Sequence, residues 1–157
     1  MLPMMPTRDT HPTRAWPRVA AGLLLLLPLL LGVERPPPLK VDILGPDGAL
    51  KGRAHVYANY VEIQDAGGQP RGAIGVVVAQ GRLRLFLVRG DAERTLVGWS
   101  DNHRLYNAEN KLLGYYNWSA IWSVVYDPAL KPLGRAQCIA YQGVCAAGVA
   151  GFLLGLL

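Results

Sequence analysis

The chain has little of what most active sites are built from. It carries two cysteines, three histidines and two phenylalanines in 157 residues. Cys138 and Cys145 form no CxxC and no cysteine–histidine ligand spacing, which argues against a zinc site. Two cysteines are also too few to frame a small fold by disulfides, although an oxidising compartment would allow one bridge between them. No nucleotide-binding loop and no metal-ligand cluster stands out, so the expected catalytic residues, metal and cofactor are none. Charge is sparse as well, at 17% of residues.

What charge there is lies unevenly. Residues 1–40 hold five Lys/Arg against Asp9 and Glu34, and residues 41–137 hold eleven against nine, while 138–157 carry none. The formal charge of +5 therefore reflects the N-terminal segment more than any basic face, and a nucleic-acid partner is not expected. Arg8, Arg14 and Arg18 precede the uncharged run Val19–Val33, the charged-then-apolar order of an export signal. Fifteen residues is long for a signal peptide and short of the roughly 20 that span a bilayer as a helix. Pro28 interrupts the run, and of the small residues that favour cleavage just before the cut only Gly32 is present. A cleavable signal and an uncleaved signal anchor both fit. The membrane is the expected partner, with localisation in the cell envelope on its periplasmic or extracellular side. Residues 1–35 are read as this signal or anchor, 36–40 as a stiff linker opened by Pro36-Pro37-Pro38, 41–146 as the folded domain and 147–157 as an apolar tail.

The domain has a rhythm. Four ten-residue segments begin on an apolar residue, carry turn formers in the middle and end on glycine: Ile43–Gly52, Ile63–Gly72, Leu105–Gly114 and Val125–Gly134. A fifth, Val88–Gly98, fits with one inserted residue. Asp65, Asn107 and Asp127 stand where a short polar side chain bonds back to the backbone. Gly48, Gly68 and Asn110 fall where a left-handed residue closes a type I turn with a bulge. Leu130 occupies that place in the last segment and tolerates positive φ badly, so the fourth turn is expected to be built differently. At an offset of 62, residues 43–81 and 105–143 share eight identities, most of them at turn or breaker positions. The expected fold is mainly β: an antiparallel meander of repeated hairpins in two copies of a unit of roughly 60 residues, with an N-terminal hydrophobic helix and a short glycine-rich C-terminal helix.

Alternation supports strands between the turns. Leu83, Leu85 and Leu87 fall on one face and Arg82, Arg84 and Phe86 on the other, while Tyr116, Trp118, Trp122 and Tyr126 are read as one aromatic face. Leu105-Tyr106-Asn107 and Val125-Tyr126-Asp127, each followed by its glycine at Gly114 or Gly134, resemble the short Tyr-Asp-x-x-Gly-x-x-x-Gly units of bacterial envelope proteins of the YD-repeat kind. That resemblance implies a structural or adhesive role rather than catalysis.

The tail reads two ways. Cys138–Leu157 is twenty uncharged residues, about one bilayer span as a helix. Gly143, Ala147, Gly151 and Gly155 recur every four positions within it, a glycine-zipper stripe suited to helix packing against another membrane or envelope protein or a second copy. The offset alignment instead lays Gln142-Gly143 on the turn Gln80-Gly81, making 138–147 a hairpin that could join Cys138 to Cys145. The hairpin is the favoured reading, with sheet to Ala146.

Three further groups are candidate sites. Tyr116, Trp118, Trp122 and Tyr126, with Trp99, Tyr106 and Tyr115 nearby, would bind glycan or lipid if exposed and fill a core if not. Arg82, Arg84 and Arg89 would meet anionic polymer or lipid, or simply protect a strand edge. Asp101-Asn102-His103 is the one acid–histidine cluster and reads as a turn, while His55 is isolated and Asn117-Trp118-Ser119 matches a glycosylation sequon. The expected protein is a non-enzymatic structural or interaction component of the envelope. A glycan- or lipid-binding module is the alternative, and a hydrolase the least favoured.

Overall fold

Four turns of one kind set the architecture. Gly48, Gly68, Asn110 and Leu130 all adopt positive φ, at 83°, 84°, 66° and 61°. Each closes a turn in which its own N–H donates to a carbonyl three residues back, at Gly45, Asp65, Asn107 or Asp127. The same opening residue then donates its N–H to the carbonyl of Ala49, Gln69, Lys111 or Lys131. Asp65, Asn107 and Asp127 add a side-chain acceptor for the N–H four residues on, at 2.8–2.9 Å. The fourth turn is therefore built like the others, against expectation. Asp127 accepts from both Ala129 and Lys131, and this local bonding holds Leu130 in the left-handed region despite its Cβ.

The computed structural model describes residues 36–89 and 93–157, so the expected N-terminal helix and signal lie outside the described residues. The strands run β1 (Leu39–Leu44), β2 (Leu50–Val56), β3 (Tyr60–Asp65), β4 (Pro70–Ala79), β5 (Arg82–Arg89), β6 (Glu93–Asp101), β7 (Arg104–Asn107), β8 (Leu112–Ser119), β9 (Trp122–Tyr126) and β10 (Pro132–Gln137). Each pairs antiparallel with the next, and β10 pairs back to β1. The meander is thus a closed ten-stranded barrel, and Leu39 and Lys40 of the expected linker belong to its first strand.

The tail is what the barrel encloses. The sheet ends at Gln137 and residues Gln142–Leu153 form one helix, α1, so the expected hairpin over 138–147 does not form. Seven consecutive residues of α1, Cys145–Gly151, are buried, and it faces β2, β3, β4, β5, β8, β9 and β10. A helix buried on every side must be apolar all round, which the charge-free tail is. Eight strands leave room only for side chains, and ten leave more. The extra space takes a slim helix, whose middle is Ala146, Ala147, Gly148, Val149, Ala150 and Gly151. At twelve residues α1 is about 18 Å long, well short of a bilayer. No helix among the described residues is long and apolar enough to cross a membrane.

The segment-ending glycines receive the tail. A Cβ on Gly52 would lie 3.1 Å from Phe152, on Gly134 2.9 Å from Leu153, and on Gly114 2.7 Å from Leu154. On Gly98 it would lie 3.2 Å from Leu156, and on Gly72 2.9 Å from Leu157. These glycines lie on β2, β10, β8, β6 and β4, the alternate strands of the barrel taken in ring order. The last six residues therefore visit five strands in turn around one rim, here the glycine rim. Gly155 touches none of them. With φ of 81° it ends α1, its N–H bonding the Phe152 carbonyl while the Leu156 N–H bonds the Gly151 carbonyl, which is a Schellman motif.

The opposite rim carries tight turns and the start of α1. Gln80-Gly81 and Asn102-His103 are two-residue turns with both φ positive. Beyond β10 the chain turns inward, and Cys138, in the connection, is bonded to Cys145, one turn into α1, with their Cα atoms 5.8 Å apart. The bridge is made, though across neither a hairpin nor a continuous helix. Gln142 ties the helix start to the adjoining turn through Nε2 to the Ala120 carbonyl at 2.6 Å.

Candidate functional site

The aromatic face expected from the sequence is divided by the barrel wall. On β8 and β9, Tyr116 pairs with Val125 and Trp118 with Ser123, while Tyr115 pairs with Tyr126 and Ser119 with Trp122. Paired residues share a face, so crossing the two-residue turn exchanges even numbers for odd. Tyr116 and Trp118 consequently point inward, and Trp122 and Tyr126 outward. Tyr116 is 2% exposed, and its hydroxyl shares a hydrogen bond of 2.7 Å with Ser100. Burial pushes its phenol pKa up, with the Ser100 bond acting the other way. Trp118 packs on the core under the His103 ring, 4.5 Å between centroids. Ser123, opposite Trp118, is buried with its hydroxyl unpartnered among the described residues.

Outside, Trp99 stacks on Tyr106 at 4.2 Å, the Arg82 guanidinium lies 4.7 Å from the same indole, and Trp99 Nε1 donates to Asn110 Oδ1. This ladder binds β5, β6 and β7 together and engages the indole with its own neighbours. Arg82 also pairs with Asp101 at 3.5 Å. Asp101 and His103 are thereby separated, one in a surface ion pair and the other stacked on Trp118. Of the three arginines, Arg82 and Arg84 alternate outward against inward Leu83 and Leu85, as expected; the side chain of Arg89 lies outside the description.

The glycine-zipper stripe does not serve another helix. Ala147 is fully buried, and a Cβ on Gly151 would meet Ile74 at 2.6 Å, so these two pack on the barrel wall. Gly143 sits in the first turn of α1 with open space around it, and Gly155 is the cap. Gly148, outside the stripe, comes equally close to the wall, 2.6 Å from Val61 to where its Cβ would stand.

One recess in the outer wall brings chemistry together. The ladder between β1 and β10 holds only two residue pairs, Ile43 with Ala136 and Leu44 with Arg135, against three to seven at the other nine seams. Toward the disulfide the strands separate, because the Cys138 N–H still bonds the Ile121 carbonyl beside β9 while the chain turns inward. The gap is a cleft of about 400 Å³. Lys40, Asp42, Arg53 and His55 line one bank, and Trp122, Gln137 and Ile139 the other. Arg53 pairs with Asp42 at 3.4 Å, and Arg135 lies 5.1 Å from the Trp122 ring centre. Leu39 and Val41 alternate with Lys40 and Asp42 along β1, and Leu44 also lines the cleft. Trp122 is the one residue of the expected aromatic group that lines it. The others were not legible as a site, because only the meeting of the first and last strands assembles them. No group of acidic, histidine or cysteine side chains among the described residues is placed to hold a metal ion.

No protein-family model, curated protein or solved structure matches the chain.

Proposed function

We propose that the protein is a non-enzymatic interaction module of the cell envelope, tethered by its N-terminal segment with the barrel outside the cytoplasm. The observation that carries this reading is the Cys138–Cys145 bond, which engages both cysteines of the chain. Disulfides persist in exported proteins and are rare in reducing compartments. The order of Arg8, Arg14 and Arg18 before Val19–Val33 supports the same address. The barrel wall supports it differently. Lys40, Asp42, Arg53, Glu62, Arg82 and Arg84 alternate outward, which suits water and not lipid, so attachment falls to the N-terminal segment. The role is recognition, since the acid–histidine cluster is engaged in structural contacts. The resemblance to YD-type repeats fits such a role, and the 62-residue offset lays the first two hairpins on the last two, as duplication of a hairpin pair would.

A second reading, glycan or lipid recognition, has support from Trp122 alone of the aromatic group on β8 and β9.

Labelling of bacterial spheroplasts carrying the full chain, with a membrane-impermeant amine reagent, tests the address. Exposed Lys51, Lys111 and Lys131 should be modified without lysis, and thiol alkylation after acid quenching should find no free cysteine. Lysines modified only after lysis, together with two free thiols, would refute it.

A further inference from the structure

We propose that the cleft between β1 and β10 binds an extended, acidic peptide segment of a partner protein by adding it as a strand to β1. This inference rests on the reading of the protein as an interaction module and names the site and the partner's chemistry.

The seam is open for a structural reason. Continuing the β1–β10 register would set Val41 against Cys138, but Cys138 is drawn inward by its bond to Cys145 and by the start of α1. Plugging the barrel with its own tail thus leaves Leu39–Asp42 without a partner strand on that side among the described residues. A strand edge with unpaired N–H and C=O groups is a template for another chain, and natural sheets usually cover or shorten such edges. Here the edge lies instead in a cleft. Four residues of strand span about 13 Å, enough to pair with about four residues of a peptide.

Alternation along β1 states what that peptide should look like. Leu39 packs on the core and Val41 is buried, so alternate peptide residues facing inward would be apolar. Lys40 faces outward, has no ion-pair partner among the described residues, and stands near Arg53, which already holds Asp42. Arg135 lies across the cleft on Trp122. Outward residues of the peptide would therefore be acidic. Strand addition draws affinity from main-chain bonds and specificity from alternate side chains, and this cleft offers both.

The test uses the 157-residue chain in detergent and a capped hexapeptide alternating valine and glutamate. Amide hydrogen exchange should slow at 39–42 on adding the peptide. The same peptide N-methylated at alternate residues keeps its charge but cannot form the ladder, and should bind at least tenfold more weakly. Lys40→Glu, at an exposed position, should weaken the unmodified peptide about tenfold, and a lysine-for-glutamate peptide should not bind. Equal binding of the N-methylated peptide, or no slowing at 39–42, would overturn the proposal. Slowing there by an acidic oligosaccharide and not by the peptide would also overturn it and assign the cleft to glycan. None of these readings depends on where the protein resides, so the proposed address can fail or hold independently.

Discussion

The two rims of the barrel solve one problem, joining a central helix to a ring of strands, in opposite ways. At the glycine rim the wall gives way. Five glycines from alternate strands leave space, and Phe152, Leu153, Leu154, Leu156 and Leu157 fill it one by one. At the cysteine rim the wall keeps large side chains, Tyr116 and Trp118 among them, and the helix is held by covalent and polar ties through Cys145 and Gln142. The first solution depends on close packing, where one methyl group matters, and the second on a few discrete bonds. The rims should accordingly differ in their response to substitution.

The largest effect is expected at the glycine rim. A Cβ on Gly114 would press on the Tyr126 carbonyl and stand 2.7 Å from Leu154, so Gly114→Ala should destabilise by about 3 kcal/mol or more. Gly143→Ala, in the first turn of α1 where an added Cβ would meet no neighbouring element, should instead be neutral or stabilise by up to about 0.5 kcal/mol, less than the gain inside a helix. Urea titrations of the two variants check this, and similar losses at both positions would erase the contrast between the rims. Next in size is the disulfide. Replacing Cys138 and Cys145 by serine opens a loop of eight residues, for which chain entropy gives about 2–3 kcal/mol. That loss should appear as a lower melting temperature of the full chain, matched by adding reductant to the native protein. The smallest effect lies in a turn. Leu130 is 64% exposed at φ 61°, so Leu130→Asn, copying Asn110, loses little packing and should stabilise by about 1 kcal/mol. A neutral or destabilising result would mean that the leucine side chain makes a contact worth the strain.

Much of this contrast was legible in the amino-acid sequence, though unevenly. Three of the four turns were, because Gly48, Gly68 and Asn110 are left-handed formers at the closing position, while the fourth was not, since Leu130 stands there instead. The glycines at the segment ends were visible as a period, including Gly98 in the irregular segment, but what they make room for was not. Their partners lie at the far end of the chain, and nothing local links Gly72 to Leu157. The aromatic face was misread for a definite reason: spacing by two holds within a strand, and the turn at Ala120-Ile121 reverses it. The tail was misread because a charge-free run suits a bilayer, a sheet and the inside of a barrel equally well, and only a ring of ten strands distinguishes them. The cleft left no trace in the sequence, since it arises where a closed ladder fails.

The central claim is that α1 is the core of the barrel, and a double-mutant cycle between Gly148 and Val61 of β3 tests it most directly. A Cβ on Gly148 would fall 2.6 Å from a Val61 methyl and 2.8 Å from the Val61 Cβ, so Gly148→Ala should be strongly destabilising alone and much less so when combined with Val61→Gly, which removes both atoms. The account predicts a coupling above about 1 kcal/mol. Additivity within about 0.5 kcal/mol would mean that helix and strand do not touch, and the barrel would then have to be filled by something other than its own tail.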